Sequence, residues 1–211
     1  GFTLNLVGDN YENEYTSDAS GLITIPKIHI GEFEFYIGKW GSKSICFSDS
    51  ISDSNHDFTA TLVKEYNEDF SVNTGWVATS PNNKTVLERT IPIASFDISN
   101  IQFDPGIDGD QTDCGNYAFC TGINPYVKPE SSTANKKNYL VSPLVTGITN
   151  QEVFYNYWLA FQNSSNDMIK VGVIVGSDTT YFDEFDVTDK QRSWEEGHFV
   201  LSGKLTSVSD F

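Results

Sequence analysis

Gly31-Glu32-Phe33-Glu34-Phe35-Tyr36-Ile37 decides the fold class. Phe33 and Phe35 alternate with Glu32 and Glu34. Successive side chains of an extended strand point to opposite faces, so this run reads as a strand with one packed face and one face toward water. His29-Ile30-Gly31 turns the chain into it, and Gly38 and Gly41 frame a turn around Trp40 on the way out. The chain re-enters a strand at Ser44. Upstream, Ser17-Asp18-Ala19-Ser20-Gly21 is a turn leading into a second alternating run at 22–25, which Pro26 breaks.

The same pattern repeats along the chain. Strand-like runs bounded by turn residues occur at 2–7, 22–25, 32–37, 44–47, 58–63, 86–91, 139–141, 153–161, 169–175 and 198–201. Polar loops are expected at 10–20, 48–57, 104–113 and 125–138. Helical periodicity is nearly absent. Many short strands with polar loops imply an all-β sandwich or barrel. The 211 residues suit one large sandwich or two small ones. The charge-rich step Lys64-Glu65-Tyr66-Asn67-Glu68-Asp69 has the composition of a linker and places a domain boundary near Glu65.

Apolar residues make up 38%, aromatics 14% and charged residues 20%, which supports packed cores rather than disorder. The 13 Lys and Arg against 29 Asp and Glu give a net charge of −16. That field repels phosphate backbones and argues against a nucleic-acid partner. It attracts cations, calcium first among them, and it also keeps a secreted protein soluble. No run approaches the roughly 18 apolar residues of a membrane helix, so membrane insertion is not expected. Cys114 and Cys120 lie close enough in sequence to bridge across a tight loop, which leaves Cys46 as a small buried apolar residue. Such a bridge belongs to an oxidising compartment.

The first stretch resembles the carboxypeptidase-regulatory-like family, a small prealbumin-type β-sandwich. The family's turn, strand, Pro link, G-x-[YF]-x-[FL] strand and glycine-aromatic turn have counterparts here. They are Ser17–Gly21, residues 22–25, Pro26, Gly31-Glu32-Phe33-Glu34-Phe35 and Lys39-Trp40-Gly41. The resemblance implies a domain over 1–65 whose first strand precedes Phe2.

A second stretch runs from Tyr66-Asn67-Glu68-Asp69-Phe70 through Asn73-Thr74-Gly75-Trp76 to Tyr139-Leu140-Val141-Ser142-Pro143 and the aromatic run at 153–161. It is similar to the cleaved-adhesin or choice-of-anchor J family, jelly-roll relatives of MAM domains on secreted bacterial proteins. The resemblance implies a jelly roll over 66–211 whose closing strands lie beyond Phe211. The expected architecture is thus two tandem β-sandwiches, prealbumin-like and then jelly-roll, in a secreted or cell-surface protein.

The acidic loop Asp104-Pro105-Gly106-Ile107-Asp108-Gly109-Asp110-Gln111-Thr112-Asp113 is the candidate metal site. Its carboxylates, Asp104, Asp108, Asp110 and Asp113, and its glycines suit structural calcium, which takes six to eight oxygens, although the spacing is not that of an EF-hand. The adhesin resemblance implies a further ligand at the opening acidic residue, Asp69 or Glu68. The alternative is a solvated acidic loop.

The run Phe154-Tyr155-Asn156-Tyr157-Trp158-Leu159-Ala160-Phe161 suits a central strand, or a groove in which Tyr155, Tyr157 or Trp158 stacks on sugar rings. Trp40, in its glycine turn, is a further candidate surface ring; the resemblance places Trp76 in the core. His29, His56 and His198 are candidate triad members, but no G-x-S-x-G elbow accompanies them. No pair of carboxylates stands out as catalytic. Asn83 and Asn163 fit the N-glycosylation sequon.

The functional expectation is a non-catalytic module for adhesion, ligand binding or domain presentation. Its expected partners are a surface glycan or protein and the neighbouring domains of the same polypeptide. The alternatives are an accessory region of a secreted peptidase or glycoside hydrolase, and a carbohydrate-binding module.

Overall fold

The computed structural model describes residues 1–80, 87–94, 114–121, 137–147, 152–159, 168–186, 188–189 and 191–201. Every regular element among them is a β-strand, and the chain is all-β. No helix among these residues is long and apolar enough to cross a membrane. Contacts divide the chain into two units. One is Gly1–Trp76 with Thr112–Phe119; the other is Val77–Gln111 with Cys120–Phe211. The first unit thus runs past the Glu65 boundary expected from charge: Asp69, Ser71 and Val72 are buried in it, Val72 against Gly38 of its sheet.

That sheet is antiparallel. Its strands are β1 (Thr3–Gly8), β2 (Tyr11–Thr16), β3 (Gly31–Lys39) and β4 (Ser42–Ile51), in the order β2-β1-β3-β4. Two-residue turns close both hairpins, with Asn10 at φ 58° and Gly41 at φ 79° in the left-handed region that such turns require. The register sets Leu6 opposite Phe35, and Phe35 opposite Phe47. Leu4, Leu6, Phe33, Phe35 and Ile51 form the buried core of one face.

Ile23, Ile25, Ile28 and Phe58 pack against that core from outside the strands. Residues 22–25 therefore keep the alternation read from sequence, with Leu22 62% exposed and Ile23 inward, but they cover the sheet rather than join its ladder. The Asp18 carboxylate fixes their start by accepting hydrogen bonds from the Ser20 N–H (2.8 Å), the Ser20 hydroxyl (2.7 Å) and the Leu22 N–H (2.9 Å). Residues 58–63 likewise form no strand; Phe58 packs on the core, and an isolated bridge pairs the following Lys64 with Ser42. Strand β2 lies where a loop was expected, because Tyr-Glu-Asn-Glu-Tyr-Thr hides its alternation behind polar residues.

The opposite face was expected to meet water. Glu32 and Glu34 do, but Asn5, Gly38 and Ser44 on that face are buried. Val72, 1% exposed, fits against Gly38 so closely that a Cβ there would stand 2.6 Å from it. Cys46 of β4 is bridged to Cys114, with their Cα atoms 5.6 Å apart. The expected Cys114–Cys120 bridge is therefore corrected. Cys114 docks on the sheet while Cys120 continues into the strand β7 (Ala118–Thr121), and Cys46 is an exposed strand residue rather than a core filler.

In the second unit, β5 (Val77–Thr79) pairs with β8 (Tyr139–Val141), and β6 spans Leu87–Thr90. A hairpin of β10 (Ile169–Val175) and β11 (Asp178–Phe185) turns at Gly176. Strand β9 (Glu152–Leu159) pairs with β12 (Gln191–Val200). These two ribbons share a core of Val173, Phe199 and Leu201 with Val153, Tyr155, Val171 and Phe182. Phe182 stacks on Phe199 at 4.4 Å, and Tyr157 meets Phe185 at 4.6 Å.

Candidate functional site

Strand β9 reads Glu-Val-Phe-Tyr-Asn-Tyr-Trp-Leu, and its alternation separates the aromatic residues into two sets. Val153, Tyr155, Tyr157 and Leu159 face the ribbon core. The Tyr155 ring lies over Gly197, where a Cβ would come within 2.1 Å of it, and its hydroxyl donates to Asp183 at 2.6 Å. Burial first, then the Asp183 hydrogen bond and charge, push the Tyr155 phenol up. Burial, followed by the charges of Glu195, Asp183 and Asp189, does the same to Tyr157. Two of the candidate sugar-stacking rings are thus turned inward.

Phe154, Asn156 and Trp158 point the other way, and the register with β12 gives each a partner. Phe154 lies opposite His198, Asn156 opposite Glu196, and Trp158 opposite Trp194. Phe154 is 56% exposed, and its ring stacks on His198 at 4.3 Å and 10°. Trp158 meets Trp194 edge-on at 6.2 Å. The Trp194 indole N–H is buried and has no hydrogen-bond partner.

Two ring pairs therefore flank an Asn–Glu pair, and successive pairs are about 7 Å apart along the strands. Rings offer flat apolar faces, while the amide donates and accepts and the carboxylate accepts. That combination suits a ligand with both C–H faces and hydroxyls. Of these residues, only Trp158 was singled out from sequence as a binding residue. His198 was weighed as a triad member, and Phe154 and Trp194 were not singled out. Their grouping depends on which strand pairs with β9, and no local pattern states that.

Trp40, the other expected surface ring, is half-buried in an aromatic cluster. It meets Tyr66 at 5.3 Å and Trp76 at 5.8 Å, and Phe70 lies against both Trp76 (5.4 Å) and Phe119 (5.1 Å). The Glu68 carboxylate braces the same loop. It accepts hydrogen bonds from the Phe70 N–H at 2.9 Å, the Trp76 indole at 3.1 Å and the Thr74 hydroxyl. Burial pushes its pKa up; the Thr74 and Phe70 hydrogen bonds oppose that, the nearby Asp69 charge adds to it, and the Trp76 bond again opposes it.

Asp69, the expected calcium ligand, is 5% exposed. Its Oδ1 accepts from the N–H and hydroxyl of Ser71 at 2.9 and 2.5 Å, closing a local turn. Asp104, Asp108, Asp110 and Asp113 lie outside the described residues. Among the residues described, no group of three or more His, Cys, Asp or Glu side chains gathers as a metal site. His29 packs against Tyr11 and Phe33 as part of the first unit's aromatic cover. Comparison with family models, with curated proteins and with solved structures finds no match for this chain.

Proposed function

We propose that this chain is a non-catalytic ligand-binding module of a secreted or cell-surface protein, and that it takes a glycan on the outer face of the β9–β12 ribbon. The observation that carries this reading is the in-register set of Phe154 with His198, Asn156 with Glu196, and Trp158 with Trp194. The exposed Phe154 and His198 rings and the half-buried Trp158 and Trp194, beside hydrogen-bonding groups, suit the alternating C–H and hydroxyl surface of a sugar. Export is supported by the Cys46–Cys114 bridge, which belongs to an oxidising compartment. The resemblance of residues 66–211 to the cleaved-adhesin family points the same way. A net charge of −16 disfavours phosphate polymers as ligands and leaves neutral glycans open.

A glycan array followed by calorimetry on the hits tests the reading. The expected result is weak, saturable binding that Phe154→Ala weakens several-fold. Absence of any polysaccharide ligand, or binding indifferent to Phe154→Ala, overturns it.

A further inference from the structure

The outer face of the β9–β12 ribbon is ordered along its length. Its rows are Glu152 with Val200, Phe154 with His198, Asn156 with Glu196, and Trp158 with Trp194. Rings occupy the second and fourth rows, and hydrogen-bonding groups occupy the third. Phe154 and Trp158 are four residues apart on β9, and Trp194 and His198 are four apart on β12, so both strands keep one interval. At the rise of an antiparallel strand that interval is about 14 Å.

The two ring pairs differ in how they meet a ligand. Phe154 and His198 lie parallel, at 10° and 4.3 Å. Each ring covers one face of the other and leaves its second face open, and both residues are exposed. Trp158 and Trp194 meet at 72° and are half-buried. Asn156 and Glu196, between the pairs, are exposed, and neither side chain is hydrogen-bonded or ion-paired among the described residues. The amide and the carboxylate are thus open to a ligand that the rings hold over them.

Resting on the glycan reading above, we infer that the ligand is an extended run of equatorially linked pyranose units, at least three long, that lies along β9 and meets a ring pair at each end. A pyranose advances an extended chain by ~5 Å, close to the interstrand spacing. A disaccharide therefore reaches one ring pair but not both. A third or fourth unit closes the interval, and the middle units set their hydroxyls over Asn156 and Glu196. Each ring pair adds a stacking contact, and the middle row adds hydrogen bonds to an amide and a carboxylate. A terminal monosaccharide needs only one pair and gives the second no role. Equatorial links keep the C–H faces of successive units in line with a strand, whereas α-1,4 links curl the chain away from it.

The test is a length series titrated by calorimetry into the full, disulfide-intact chain. The probes are β-1,4-linked glucose and N-acetylglucosamine oligomers of two to six units, with α-1,4-linked glucose oligomers as the curled control. In at least one β-linked series, affinity is expected to rise roughly tenfold between two and four units and to level off beyond. The α-linked series shows no such step. Trp158→Leu removes most of the step and leaves disaccharide binding unchanged, whereas Phe154→Ala weakens binding at every length. The series on the unaltered chain needs no variant and decides the case even where Trp158→Leu is too unstable to titrate. Three results overturn this inference and leave the glycan reading standing: a disaccharide that binds as tightly as a tetrasaccharide, a step shared by the α-linked series, or silence from both β-linked series while array ligands still respond to Phe154→Ala. Binding indifferent to Phe154→Ala at every length, or no glycan binding of any kind, overturns both.

Discussion

Cys46 and Cys114 close a loop of 68 residues, joining the exposed side of β4 to a segment that returns to the first sheet from far along the chain. The bridge ties Thr112–Phe119 into the unit formed by Gly1–Trp76. Because it cross-links distant residues, it restricts the unfolded chain strongly. A loop of this length is worth about 4 kcal/mol in the chain-entropy picture. Cys46→Ser is therefore expected to lower stability to urea by roughly 2–4 kcal/mol. Cys120→Ser should leave both stability and non-reducing mobility nearly unchanged. Peptide mapping without reduction decides the pairing directly: recovery of a Cys114–Cys120 peptide in place of Cys46–Cys114 refutes it.

Gly197 and Tyr155 make the tightest glycine contact among the described residues of the second unit. Tyr155 cannot swing aside without giving up its hydrogen bond to Asp183. Gly197→Ala is expected to cost about 1–3 kcal/mol through overpacking. Gly38→Ala should cost a similar amount in the first unit, where Val72 and Ser44 close over the glycine. Gly31→Ala is the control, since a Cβ there meets only ordinary contacts, the nearest at 3.6 Å on His29. Equal melting temperatures for all three variants would contradict the packing described.

The contrast between these sites and the sequence reading has a physical basis. Phe33 and Phe35 declared β3 because apolar and charged residues alternate there with nothing to obscure the period. The Tyr-Glu-Asn-Glu-Tyr-Thr of β2 and the Asp-Thr-Thr-Tyr-Phe-Asp-Glu-Phe of β11 alternate too weakly in hydrophobicity to stand out from loops. At 22–25 the period was right, yet period says only which side chains turn inward, not whether the backbone joins a ladder. Partner choice was least legible. Cys46 with Cys114, and Phe154 with His198, are chosen by folding across dozens of residues, and local spacing carries no record of that.

Glu68 gives the first unit a pH dependence whose sign is fixed. Burial holds its folded-state pKa above the ordinary glutamate value, so the folded chain binds that proton more tightly than the unfolded chain. Its contribution is fully present below the unfolded pKa and is lost as pH rises through the folded one. Urea midpoints measured from pH 4 to 7 are expected to carry a falling component with rising pH that Glu68→Gln removes. Asp18 acts in the opposite sense. Hydrogen bonds from Ser20 and Leu22 hold its pKa down, so its share is present above the unfolded pKa and is lost as pH falls through the folded value. A Glu68→Gln profile that parallels the unaltered chain would show that the carboxyl titrates normally.

The two sides of β9 should separate binding from stability. Phe154 and His198 lie stacked on the outer face, so Phe154→Ala and His198→Ala remove ligand contact while leaving the core untouched. Each is expected to weaken glycan binding several-fold with little change in melting temperature. Because the rings support one another, the double variant should lose less than the sum of the two single losses. Tyr155→Phe does the reverse. It deletes the hydroxyl that donates to Asp183 and costs about 1 kcal/mol of stability, yet it faces the core and should leave affinity unchanged. Affinity that follows Tyr155→Phe and ignores Phe154→Ala would move the ligand site away from the outer face.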